Sequence, residues 1–215
     1  MIKNTKKIYI KKLFPYINNV NMKNLQIDDD SVHYITVPGE SKKIIDIIES
    51  RMKHLNMKIN NSSIVDVTAG VGGDTITFCS RFKNVTSIEI DQTRFECLKN
   101  NINEYKYINV NIINGDSTMI IQNLLNVDVV YIDPPWGGVN YKEKSDLKLK
   151  LGDVTIETFI KNSLNENIMS SCPKLIALKL PKNYDLEFMF NELNENTIMY
   201  KYELYKFDVI IIENK

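Results

Sequence analysis

Histidine is scarce in this sequence. His33 and His54 are the two among 215 residues, so a histidine-based triad has little material. Cysteine is scarce too. Cys79, Cys97 and Cys172 form an odd set without Cys-x-x-Cys spacing. That argues against a disulfide framework and against a zinc site, and makes a reducing compartment the default. The three read most simply as packing residues. No apolar run approaches the length that spans a bilayer, and the lysine-rich start holds no secretory core. No excess of either charge exists, since the formal net charge is +0. No global basic field then announces a nucleic-acid partner, and one would have to be gripped by a local patch.

What is present suits a folded domain. Hydrophobic content is 43% and charged content 25%. That is enough chain to bury a substantial core in one domain, with a small appendage. Residues 1–38 differ from the rest. They carry Lys3, Lys6, Lys7, Lys11 and Lys12 and then Asp28, Asp29 and Asp30. They are expected to form an N-terminal extension, weakly helical at first, before a main domain at 39–215. The lysines suit RNA phosphates and suit a solubilising tail equally well.

Apolar residues at helical spacing, Ile44, Ile45, Ile48, Met52 and Leu55, predict a helix over 41–57. From Ser63 onward, strands alternate with helices. Strands are expected at 63–67, 85–90, 109–113, 127–132, 174–180, 197–202 and 206–212. Helices are expected at 74–82, 93–104, 117–125, 153–169 and 186–193. Such alternation implies an α/β fold with a mostly parallel sheet covered on both faces. The short gap before the last strand suits an antiparallel hairpin.

In doubly wound sheets, ligands sit beyond the carboxyl ends of the strands. Asp66 ends the first strand, and Gly70, Gly72 and Gly73 follow it. Glycines let the backbone approach a ligand closely and adopt positive φ. The run lacks G-x-G-x-x-G spacing, and an anionic Asp74 at the helix start would repel a pyrophosphate. S-adenosylmethionine has no phosphate, and its ammonium suits a carboxylate. A tight packing turn is the plainer account. Glu89, ending the second strand, can accept ribose hydroxyls, or is a solvated strand end. Asp116 follows Gly115 after the third strand. It can accept from an adenine amino group or cap the next helix.

Asp133-Pro134-Pro135-Trp136-Gly137-Gly138 directly follows a hydrophobic strand. Prolines remove donors and stiffen the chain, which holds carbonyl oxygens in place. Those oxygens and the Asp133 carboxylate are acceptors for the hydrogens of a base amino group. Gripping those hydrogens favours the pyramidal nitrogen that attacks, without a metal. Trp136 offers a stacking face, more favourable for a cationic base.

These residues resemble the trimethylguanosine synthase family, the RNA cap guanine-N2 methyltransferases. The family's V-D-x-F-C-G-V-G-G-N-T-I is similar to Val65 through Ile76. Its I-D-I-D matches Ile88-Glu89-Ile90-Asp91, and its A-R-N-N is echoed by Leu98-Lys99-Asn100-Asn101. Its S-P-P-W-G-G-P-x-Y reads here as Asp133 through Tyr141, and its L-P-R-N as Leu180-Pro181-Lys182-Asn183. The likeness spans about residues 27–212. It implies a class I methyltransferase (Rossmann-like) fold: a seven-stranded mostly parallel sheet, a C-terminal antiparallel hairpin and a small N-terminal helical extension.

It also implies S-adenosyl-L-methionine as cofactor, held by Thr36, Asp66, Gly70, Gly72, Glu89 and Asp116. The implied substrate is 7-methylguanosine-capped RNA or a cap nucleotide, whose 2-amino group receives the methyl. By position Trp136 stacks on the base, and Asp133 and Pro134 hold the amino group. Pro135, Asn101 and Lys182 contact the nucleotide. Asp133 stands where cellular members have Ser, and Lys182 where they have Arg, which loses bidentate phosphate geometry. No metal, no membrane and a monomer are expected. So is a cytoplasmic or nuclear place of action, and the absence of a long regulatory extension suggests a compact viral enzyme in a host cytoplasm. The other readings are another exocyclic-amino methyltransferase (adenine-N6, cytosine-N4 or ribosomal RNA guanine-N2) and a non-catalytic cap-binding module.

Overall fold

The computed structural model describes residues 7–193 and 197–214. Lys3 and Lys6 of the basic start lie outside the described residues. Met1–Ser117 and Thr118–Lys215 form two compact units.

The first unit begins with α1 (Lys7–Leu13), α2 (Ser31–Tyr34) and α3 (Pro38–His54). Helix α3 starts and ends three residues earlier than its periodicity suggests. Pro38 fits the first helical turn, where its missing N–H costs nothing. Asn56, just past the end, has φ 57°, a left-handed stop. Ile44, Ile45, Ile48 and Met52 are buried along one face. Two βα steps and a third strand follow: β1 (Ser63–Asp66), α4 (Gly73–Cys79), β2 (Asn84–Glu89), α5 (Gln92–Tyr105) and β3 (Val110–Asn114). The strands run parallel in the order β3-β2-β1. Ile64 registers with Val85, and Val85 with Val110. Helix α5 opens on Asp91, whose carboxylate accepts the Arg94 N–H at 2.9 Å.

The stretch between α1 and α3 lies along α5. Phe14, Leu25 and Ile27 are buried. The Asn100 amide donates to the Asn24 carbonyl at 2.8 Å, and Arg94 Nε meets Asp28 at 3.1 Å. This brings Ile35 and Thr36 onto the glycine turn.

α6 (Ser117–Ile120) is shorter than expected and runs on as a 3-10 turn at Ile121–Asn123. The second unit then holds β4 (Val129–Ile132), β5 (Lys150–Leu151), β6 (Val154–Thr155), α7 (Ile156–Ser163), β7 (Leu175–Pro181), α8 (Leu186–Glu192), β8 (Thr197–Glu203) and β9 (Phe207–Asn214). β4 and β7 pair in parallel, while β9 lies antiparallel to both β7 and β8. Every residue of β4 and β7 is buried. Continuous apolar runs such as Leu175-Ile176-Ala177-Leu178 mark strands covered on both faces. The seven main strands belong to one mostly parallel sheet with antiparallel last strands.

The segment 153–169 is not one helix. Val154–Thr155 pairs with Lys150–Leu151 in a small hairpin turned at Gly152, φ 57°. The helix begins at Ile156, where the Thr155 hydroxyl accepts the Thr158 N–H. It ends at Ser163, before the asparagine-rich stretch Asn165-Glu166-Asn167. Among the described residues no helix is long and apolar enough to cross a membrane, and no three His, Cys, Asp or Glu are grouped to hold a metal ion.

Candidate active site

In the first unit, the carboxyl ends of β1 and β2 shape a candidate cofactor cradle. Gly70 has φ +54°, and nothing lies within 4 Å of where a Cβ would stand. Its N–H donates to Glu89 Oε2 at 2.7 Å, while the Asp91 N–H donates to Oε1 at 2.8 Å. A carboxylate offers about four lone-pair sites, so roughly two remain for hydroxyl groups. Burial pushes the Glu89 carboxyl above the ordinary value, and the two backbone N–H groups partly offset this. Ile90, beside it, leaves a large apolar side chain 66% exposed. Open space over Gly70, a vicinal-diol acceptor and an apolar shelf together fit the adenosine part of a cofactor.

Other residues hold this cradle in shape. Asp66 is buried and accepts from the Thr75 hydroxyl at 2.7 Å and the Thr68 N–H at 3.3 Å. The Thr36 hydroxyl donates to Asp74 Oδ2 at 2.7 Å, with both residues buried. Gly72 has φ +99° and Leu98 close by. A Cβ on Gly73 would stand 2.7 Å from Ile35 Cγ1 and 3.0 Å from the Thr36 carbonyl. Asp116 is exposed and directly precedes α6.

In the second unit, β4 ends in the Asp-Pro-Pro-Trp loop. Pro134 is buried and Pro135 exposed. Trp136 is half-buried, and its ring meets Tyr141 edge-on at 5.1 Å. Its indole N–H is enclosed without an acceptor. The Asp133 carboxylate receives the Lys179 ammonium at 2.7 Å. Beyond Trp136 the chain is clamped by Asn183, whose amide donates to the carbonyls of Tyr141 at 2.7 Å and Lys144 at 2.6 Å.

Residues 61–214 match the family model for RNA cap guanine-N2 methyltransferases. This chain belongs to that family. Among curated proteins, the uncharacterized protein L320 of Acanthamoeba polyphaga mimivirus is 33% identical, over 95% of this chain and 85% of its own length. The trimethylguanosine synthase of Schizosaccharomyces pombe is 27% identical, over 68% of this chain and 57% of its length. A ribosomal RNA small subunit methyltransferase J of Francisella philomiragia is 29% identical, over 87% and 80%. Among solved structures, a Streptococcus mutans methyltransferase crystallised with SAH superposes with a TM-score of 0.52. It is 16% identical over 78% of this chain and 98% of its own.

The chain is therefore an S-adenosylmethionine-dependent RNA methyltransferase with a class I fold. Within this RNA cap guanine-N2 methyltransferase family member, two implied roles look different in the structure. Asn101 has no exposed surface. Its amide is spent on the Gln26 N–H and carbonyl at 2.7 and 2.8 Å and on the Val71 carbonyl at 2.9 Å. The side chain is wholly enclosed in this structure and braces the glycine turn. Lys182 reaches the Asp208 carboxylate, which Lys201 also approaches at 3.4 Å. Its 40% exposed side chain stays accessible, but its charge already has a partner.

The sequence names Gly73, Ile90 and Asn183 within motifs without a role of their own, and leaves Lys179 unremarked. Gly73 was visible in the glycine run, but the need for it comes from Ile35 and Thr36, distant in sequence. Lys179 carried a signal: a lone lysine inside a run of apolar residues on a buried strand.

Proposed function

We propose that this enzyme methylates the 2-amino nitrogen of 7-methylguanosine at the cap of an RNA. The observation that carries the reading is the Asp133 loop. It combines a carboxylate held by Lys179 at a strand end, a buried proline beside it, and a half-buried indole whose N–H is enclosed without an acceptor.

S-adenosylmethionine supplies an electrophilic methyl group. Glu89 and the Gly70 backbone would bind its adenosine part, Ile90 would offer an apolar contact, and Asp74 would hold the ammonium. The Trp136 ring stacks on the base, and a 7-methylated guanine, being cationic, gains from the ring face and from the nearby carboxylate. Asp133 and the Pro134 carbonyl accept the hydrogens of the amino group and orient its lone pair. When nitrogen gains the methyl group it becomes cationic, and Asp133 accepts the proton it sheds. Lys182, Pro135 and the exposed Asp116 complete the nucleotide and cofactor contacts. The described residues 7–38 act as the accessory segment that presents Thr36. Action in a host cytoplasm belongs to the same reading, supported by the viral relative.

The relative named for ribosomal RNA favours a second reading, transfer to an amino group in uncapped RNA. Labelled methyl transfer to matched RNAs with a 7-methylguanosine cap, a guanosine cap and no cap separates the two. Transfer only to the first supports the proposal. Transfer to uncapped RNA at an equal rate overturns it.

A further inference from the structure

β7 is buried at every position, yet its fifth residue is Lys179. The side chain is 6% exposed and registers beside Val209 of β9. Its ammonium lies 2.7 Å from Asp133 Oδ2, 5.4 Å from the Trp136 ring centre and 5.2 Å from that of Phe207. Removing such an ion from water is costly unless it is paired. A well-packed apolar pair would usually serve folding as well or better. The strand on either side is apolar and needs no charge to form. What the pair adds is local to the loop: it neutralises Asp133, holds one of its oxygens and places a cation beside the indole.

We propose that Lys179 is a positioning residue for methyl transfer. It holds the Asp133 carboxylate in one orientation at the strand end, toward the substrate amino group. Asp133 and Lys179 then act as one unit, replacing the neutral serine that the family resemblance places at this position. This rests on the reading that Asp133 holds the amino group. It does not depend on the cap, because it is tested on whichever RNA the unaltered enzyme methylates.

The test is a double-substitution cycle in the full chain with D133S, K179M and D133S/K179M. Steady-state kinetics, the pH–rate profile and cofactor binding by calorimetry are measured for each. In the Asp133 background, K179M is expected to lower kcat roughly 10- to 100-fold, the range that follows from misplacing a reacting group. Its acid limb moves to higher pH, because a carboxylate without its cation protonates more readily. Cofactor affinity stays unchanged. In the D133S background, adding K179M costs nothing or raises activity, since neither charge is then left alone. That second comparison decides the matter even if K179M alone does not fold. An equal loss of kcat from K179M in both backgrounds overturns the proposal. So does a K179M enzyme that is merely less heat-stable, with kcat and pH profile unchanged.

Discussion

The Asn101 amide donates to the Val71 carbonyl at 2.9 Å while its own carbonyl accepts the Gln26 N–H at 2.7 Å. One buried side chain on α5 thus ties the chain before α3 to the glycine turn. The glycine turn is held from behind as well as from β1.

Substituting Asn101 with Ala leaves three backbone groups without their partner: the Gln26 N–H and carbonyl and the Val71 carbonyl. Unfolding free energy should fall by about 1–3 kcal/mol, the cost of an unsatisfied buried group. Calorimetry should show weaker cofactor binding, with KM for RNA little changed. A raised RNA KM beside normal cofactor affinity would mean that Asn101 contacts the nucleotide after all.

The two glycines flanking Val71 and Gly72 should fail differently. Ala at Gly73 collides with the Ile35 side chain and the Thr36 carbonyl, so heat stability should drop by about 1–3 kcal/mol, as in overpacked cores. Ala at Gly70 meets no neighbour but must take φ +54°, a strain of roughly 1–2 kcal/mol. Its methyl also enters the open space, so G70A should lose more cofactor affinity than its stability loss explains. Paired melting curves and calorimetry check this ordering.

Glu89 gives the site a pH dependence with a definite sign. Burial raises its pKa above 4.5, so it protonates at a higher pH than an ordinary carboxylate. Protonation removes acceptor capacity, so cofactor binding should weaken as pH falls toward the raised value, and E89Q should lose that dependence. For folding the sign is reversed. The folded chain takes up this proton more readily than the unfolded one. The group's contribution therefore favours folding below pH 4.5 and is lost as pH rises through the folded pKa. Calorimetric titrations across the acid range test the first statement, and melts of E89Q against the unaltered protein test the second.

Trp136 should matter for substrate and not for cofactor. Base stacking on an aromatic ring is worth about 1–3 kcal/mol, so W136A should raise RNA KM by roughly 5- to 150-fold. W136F should recover part of that. Preference for a 7-methylated over an unmethylated guanine should shrink in W136A, because the cation loses its ring face. Competition assays with the two free nucleotides measure it.

Much of this arrangement is legible in the sequence because buried parallel strands write themselves as apolar runs. Val129–Ile132 and Leu175–Pro181 are such runs, and the loops after them carry the unusual residues. The small hairpin at Lys150–Thr155 is not legible as a helix-breaking event. Val154, Ile156, Phe159 and Ile160 keep an apolar pattern that suits a helix, and only the Gly152 turn betrays the strand pair. Pairings between distant residues are equally hidden. Asp133 and Lys179 meet because β4 and β7 are neighbours, and nothing local to either residue announces the other.

The most direct test of the central claim is to locate the methyl group. A short RNA with a 7-methylguanosine cap is incubated with enzyme and cofactor, digested to nucleosides, and analysed by fragmentation mass spectrometry. The account predicts 7-methylguanosine carrying an added methyl on its 2-amino nitrogen, produced by the unaltered enzyme and lost in D133A. A methyl group found on an internal adenine, cytosine or guanine, with the cap unchanged, would contradict it.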